Sequence, residues 1–200
     1  KPLLVSTGGA TLDDVKRAYE IIMPINPNLC ILQCTSSYPA EPEDMNLNVI
    51  NTYRDNFKDI IIGLSDHQNG IAMALVGYVL GARVIEKHFT DNKEDRDFRD
   101  HELSADPDDL KTLVDDVART KLALGVKEKI RSVSETPNLV PTRKGVVAAS
   151  DLPEGKILER NDLMFARPSS EIPAERINEL IGKTLKVPLQ RGNLVPSDTL

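Results

Sequence analysis

The sequence predicts an α/β fold of consecutive βα units followed by a small β-rich domain, and three observations carry that prediction. Nearly continuous apolar runs at 3–7, 29–35, 60–65 and 83–89 alternate with helical segments. That is the pattern of parallel strands buried on both faces and their crossovers. Polar residues gather where each run ends, as Ser6-Thr7-Gly8, Thr35-Ser36-Ser37-Tyr38, Ser65-Asp66-His67 and Glu86-Lys87-His88. Past residue 141 the alternation gives way to short β-like runs and turns.

Each helix has a local cause. Thr11 is an N-cap for the first, with Asp14 completing a capping-box variant. The second helix is expected over 47–57. The third is expected over 70–80, where small and apolar residues suit close packing on a sheet. Asp106-Pro107 starts the fourth, a cap followed by proline at the first helical position. Leu110, Leu113, Val114 and Val117 form its expected core stripe, and Gly125 ends it. Four such units in series predict a parallel sheet with right-handed crossovers. Periodicity alone does not separate half of an eight-stranded barrel from an open doubly wound sheet. Both place their sites at the edge where the polar clusters lie.

The expected organisation is a first domain over 1–125, a charged and Pro-containing linker over 126–141, and a β-rich domain over 142–200. Within the last, 151–158 and 187–195 echo each other, each with a Gly at a bend between short strands. The chain opens with Lys1-Pro2 and enters a strand at once, without Met. It therefore reads as a protein cut through its middle.

Composition narrows the function. A hydrophobic fraction of 40% and a charged fraction of 28% are those of a globular protein with a real core, not a low-complexity chain. Acidic residues outnumber basic ones, 31 to 25, which argues against nucleic acid as partner because phosphates need a net basic face. No apolar run is long enough to span a membrane and no signal layout opens the chain. Cys30 and Cys34 fall on one face of a strand, about 13 Å apart, too far to bridge. A cytoplasmic location is expected.

His67 and His88 are the sharpest chemical pair. Strand alternation puts Ser65 and His67 on one face, and Glu86 and His88 on the same face of the next strand. On neighbouring strands about 4.8 Å apart the two imidazoles converge. They then suit a divalent metal with open positions, or form two hydrogen-bonded polar groups at strand ends. Lys87 alternates with them and points away. The segment from Gly63 to Gly70 reads as an anion-receiving turn or an ordinary βα turn. The loop 91–102, with Asp100-His101, reads as a solvated surface excursion.

Taken in order, Ser6-Thr7-Gly8, Cys34-Thr35-Ser36-Ser37-Tyr38-Pro39, Gly63-Leu64-Ser65-Asp66-His67, Glu86-Lys87-His88-Phe89-Thr90 and Asp100-His101 resemble the sialic acid synthase family. Residues 142–200, with Asp151-Leu152-Pro153-Glu154-Gly155 and Ala166-Arg167-Pro168, resemble its antifreeze-like (SAF) domain. The resemblance implies the second half of a (β/α)8 TIM barrel, four βα units, followed by a small β-clip domain. It implies condensation of phosphoenolpyruvate with N-acetylmannosamine to give N-acetylneuraminate and phosphate. Legionaminate or pseudaminate synthesis from a diacetamido hexose is the alternative. His67 and His88 match metal ligands, with Mn2+ the usual ion and Mg2+ or Co2+ also suitable. Ser6, Ser36 and Ser65 match the phosphoenolpyruvate pocket, and some relatives carry Asn where Ser36 stands. Tyr38 and Asp100 match positions that hold the sugar, and Glu86 is the candidate for proton handling. Arg167 matches an arginine that reaches a neighbouring subunit's N-acyl group, implying a domain-swapped homodimer. On this reading the 200 residues alone are expected to be inactive. A non-catalytic chain acting as a binding or dimerisation module is the competing expectation.

Overall fold

The computed structural model describes residues 1–94, 96–169, 172–195 and 197. They form two compact units, Lys1–Val126 and Lys127–Leu200.

The first unit is a four-stranded parallel sheet in the order β1-β2-β3-β4, the order of the chain itself. The strands are β1 (Leu3–Ser6), β2 (Leu29–Cys34), β3 (Ile61–Asp66) and β4 (Val84–Lys87). Sequential parallel neighbours joined by helices are the topology of half a barrel, and the expected α/β class holds. The connecting helices are α1 (Leu12–Ile22), α2 (Val49–Asn56) and α3 (Ala72–Leu80). A short α4 (Asp100–Leu103) and a long α5 (Pro107–Leu124) follow β4.

Local signals acted as chemistry requires. The Thr11 hydroxyl accepts from the Asp14 amide while the Asp14 carboxylate accepts from the Thr11 amide, a reciprocal cap. Asp106 and Asp109 repeat the arrangement at the start of α5. Two helices start later than expected, at Val49 and Ala72, because a turn in which the Val49 amide donates to the Asn46 carbonyl precedes the one and Gly70, at φ +76°, precedes the other.

The outward side chains of the sheet, Leu29, Ile31, Ile62 and Leu64, pack with Val15, Ile50, Tyr53 and Phe57 from the helices. Gly77 lets α3 approach, since a Cβ there would stand 2.6 Å from Leu64 Cδ2. The expected core stripe of α5 is corrected in part. Leu113 is buried, but Leu110 and Val114 are 42% and 60% exposed. The physical reason is that β4 ends the sheet, so among the described residues no further strand lies beneath that side of α5.

The second unit begins with helical turns at Val133–Asn138 and α6 (Leu139–Thr142). Strands β5 (Gly145–Ala148) and β6 (Leu163–Ala166) pair antiparallel. The two echoing segments find each other: the Leu152 and Leu189 amides each donate to the other's carbonyl, at 2.7 and 2.9 Å. Gly155 and Gly192 make the two bends at φ +79° and +85°, where a side chain would be strained. Val146, Leu158, Leu163, Leu180, Leu185 and Val195 lead its core.

Candidate active site

The site is assembled by the last rungs of the parallel sheet. The register pairs Cys34 with Ser65 and Ser65 with Glu86, so these three side chains share the sheet's inner face. Ser65 is buried, and its hydroxyl donates to Glu86 Oε1 at 2.6 Å. Continuing each strand one step past its last paired residue brings His67 beside His88. Their rings meet edge to face with centroids 5.2 Å apart.

A backbone carbonyl orients the His67 ring, and a carboxylate lies near His88. His67, buried, has Nδ1 at 2.9 Å from the Thr35 carbonyl. A carbonyl accepts only, so Nδ1 donates to it, and Nε2 is turned to the inner face, 3.4 Å from the Ser65 hydroxyl oxygen. His88, half-buried, has Nδ1 3.7 Å from Asp100 Oδ2. Asp100 in turn is held by α4, where the Ser104 hydroxyl donates to its carbonyl. Asp100 Oδ1 is buried without a hydrogen bond among the described residues and faces the Arg99 guanidinium, whose Nε lies 3.6 Å away. Tyr38, arriving from the loop after β2, lays its ring on His67 at 4.3 Å and reaches His88 at 5.7 Å.

The structure therefore brings Tyr38, Ser65, His67, Glu86, His88 and Asp100 into one cluster. Ser6 lies on the same sheet face but opposite Leu32, two residues behind the Cys34–Ser65–Glu86 row. Ser36 is exposed in the loop after β2, with its hydroxyl above Gly8, where a Cβ would collide with it. Arg167 is an exposed residue of the second unit. The loop 91–102 is less of an excursion than expected: the His101 ring bonds to the buried Thr90 hydroxyl at 2.8 Å and α4 folds against the sheet edge.

Sequence reasoning missed three groups. The Thr35 carbonyl could not be read from residue type, because any residue has one. Arg99 sits with its guanidinium 5.8 Å above the Tyr38 ring, on a loop whose many charges hid it. Asp66 and Lys87 form a buried ion pair at 3.2 Å behind the two histidines. Strand alternation did point Lys87 outward, but not to a partner.

Whether the residues fit a divalent ion turns on the donor set. His67 has the hydrogen-bonded outer support that metal-bound imidazoles use, and His88 has a carboxylate oxygen 3.7 Å from its Nδ1, so the two Nε2 atoms are left as donors. No group of three or more His, Cys, Asp or Glu residues suited to hold an ion occurs among the described residues. The pair fits a site completed by donors from elsewhere, such as substrate oxygens. No helix of the described residues is long and apolar enough to cross a membrane.

Comparison with known proteins places the chain in a family. A model described as the NeuB family matches residues 1–129, and one described as the SAF domain matches residues 143–200. Human N-acetylneuraminate-9-phosphate synthase is 39% identical over 197 residues, covering 98% of this chain and 54% of that protein. The N,N'-diacetyllegionaminic acid synthase of Legionella pneumophila is 35% identical over 196 residues, covering 96% and 54%. The crystal structure of N-acetylneuraminic acid (sialic acid) synthetase from Leptospira borgpetersenii serovar Hardjo-bovis in complex with citrate superposes with a TM-score of 0.61. It is 32% identical and covers 68% of this chain and 47% of that one. The chain thus spans about half the length of the curated relatives it matches.

Proposed function

We propose, for a chain that belongs to the NeuB family of sialic acid and related nonulosonate synthases, that it forms the acceptor-binding half of a barrel condensing phosphoenolpyruvate with N-acetylmannosamine. The products are N-acetylneuraminate and phosphate. The observation that carries this reading is the convergence of Tyr38, Ser65, His67, Glu86, His88 and Asp100 at one end of the sheet.

The roles we assign are these. Nε2 of His67 and of His88 would hold a divalent ion, Mn2+ by preference, which when bound supplies Lewis acidity toward the acceptor's aldehyde oxygen. Asp100 Oδ1, which makes no hydrogen bond among the described residues and lies 3.6 Å from Arg99 Nε, takes a hydrogen bond from a hydroxyl of the open-chain sugar. Tyr38 walls the same space with its ring. The methylene carbon of phosphoenolpyruvate bonds to the aldehyde carbon, water adds to the enol carbon, and phosphate leaves. Glu86 takes the proton of that water at its carboxylate, which Ser65 orients through the 2.6 Å hydrogen bond. Ser6, Ser36 and Ser65 supply hydroxyls toward phosphoenolpyruvate. Arg167 of a second copy grips the N-acyl group in a domain-swapped homodimer, and the free thiols Cys30 and Cys34 accord with a reducing cytoplasm.

The legionaminic acid synthase relative makes a diacetamido hexose the rival acceptor. Mass spectrometry of the products formed by the protein extended upstream to its relatives' length decides between them. With phosphoenolpyruvate and Mn2+, product from N-acetylmannosamine alone establishes the acceptor. Product from a diacetamido hexose alone transfers the reading to that branch, and none from either overturns it.

A further inference from the structure

Asp66 and Lys87 are the two charged groups of the first unit that the proposed chemistry leaves unused although their side chains are 0% and 4% exposed. They form the last rung of the β3–β4 ladder, since Asp66 pairs with Lys87 in register and the strands end there. The next residues along are His67 and His88. Lys87 Nζ donates to Asp66 Oδ2 at 3.2 Å and to the Gln68 carbonyl at 2.7 Å, and Asp66 Oδ1 accepts from the Gln68 amide at 3.0 Å. The ion pair therefore clasps residues 66–68 of one strand end onto the other, with His67 inside the clasp.

From this arrangement we infer that Asp66 and Lys87 are positioning residues that set the spacing of the His67 and His88 rings. A buried ion pair is a poor source of stability, because desolvation of both charges offsets most of their attraction. An apolar pair would fold as well. What an apolar pair cannot supply is the fixed length and direction of two hydrogen bonds across the strand ends, braced by a third within the end of β3. The rings themselves touch edge to face with no hydrogen bond between them, so their separation rests on the strand ends beneath, together with the Thr35 carbonyl and the Tyr38 ring above.

The test reads the ring pair directly. The sequence has three histidines, so histidine-selective labelling of the full chain gives a readable spectrum for ring-to-ring NOEs. Lys87→Met alone strands a buried carboxylate and is avoided. Asp66→Asn combined with Lys87→Met removes both charges while keeping an acceptor for the Gln68 amide. The expected result is a folded chain, melting within about 5 °C of the parent, whose His67–His88 NOEs are lost. The same variant in the upstream-extended protein binds Mn2+ about ten- to a hundredfold more weakly, the range for losing outer support of a metal ligand. Retained NOEs with unchanged Mn2+ affinity would overturn the inference. Should the double variant not fold, Lys87→Arg decides. It keeps the charge but changes the reach, so weakened NOEs support the inference and unchanged ones overturn it. The inference rests on the synthase reading only for its effect on Mn2+ binding. A parent protein that bound no Mn2+ would sink that reading, while the NOEs would still decide this one.

Discussion

The Tyr38 ring rests on the His67 imidazole with centroids 4.3 Å apart and planes inclined by 39°. A loop residue thus packs on a strand-end residue that is itself tied to the Thr35 carbonyl three positions before Tyr38. The aromatic contact contributes about 0.5–1.5 kcal/mol beyond burial, and on the proposed reading the phenol hydroxyl meets the acceptor in the upstream-extended protein. Tyr38→Phe should raise KM for the acceptor sugar about tenfold, as one lost hydrogen bond does, with KM for phosphoenolpyruvate unchanged. Tyr38→Ala should lower kcat as well, because the wall on His67 is gone. Steady-state kinetics with each substrate varied in turn checks both.

Glu86 and Ser65 act as a unit. Glu86→Gln should reduce kcat about 10²- to 10⁴-fold, the usual contribution of a positioned acid–base group. Ser65→Ala, which removes only the orienting hydroxyl, should cost less than Glu86→Gln. Single-turnover phosphate release with each variant gives the order, and a larger loss for Ser65→Ala would move the proton-handling role off Glu86.

Close packing beneath the site sets a stability ranking. A Cβ at Gly63 would stand 2.6 Å from the Val84 carbonyl oxygen, which is backbone and cannot step aside. A Cβ at Gly77 would stand 2.6 Å from Leu64 Cδ2, the movable tip of a side chain. Both overpack, at about 1–3 kcal/mol, and Gly63→Ala should be the worse of the two. Denaturant melts of the two variants measure the difference.

Acid should loosen the start of α5. The Lys93 ammonium, hydrogen-bonded to Asp109, together with the Asp106 backbone holds the Asp109 carboxyl below its ordinary 3.8. A lowered carboxyl contributes stability that is fully present above the unfolded value and lost as pH falls through the folded one. The loss therefore lies below about pH 4, and Asp109→Asn should flatten the melting temperature in that range. Thermal melts from pH 2 to 6 show whether the slope follows Asp109.

Much of this molecule was legible in the sequence. The four parallel strands, both aspartate-supported helix caps and the convergence of His67 with His88 follow from apolar run length, cap chemistry and strand alternation. All of these act over a few residues. The exposure of Leu110 and Val114 was not legible, because a helix stripe shows which face wants burial and not whether a strand lies beneath it. The pairing of Leu152 with Leu189 was half legible. Repetition marked the two segments, but only the folded chain shows that they bond to each other. The Asp66–Lys87 pair was hidden for a similar reason, since each looked like an ordinary charge at a strand end.

The most direct test of the synthase reading is acceptor-dependent release of phosphate from phosphoenolpyruvate. It should be run with Mn2+ and the upstream-extended protein, beside His67→Ala and His88→Ala. Release that requires the acceptor sugar and disappears in both variants, each still folded, is the predicted result. Release that survives either substitution would contradict the assignment of the two imidazoles. No release with any acceptor from a folded, Mn2+-loaded protein would contradict the synthase reading itself.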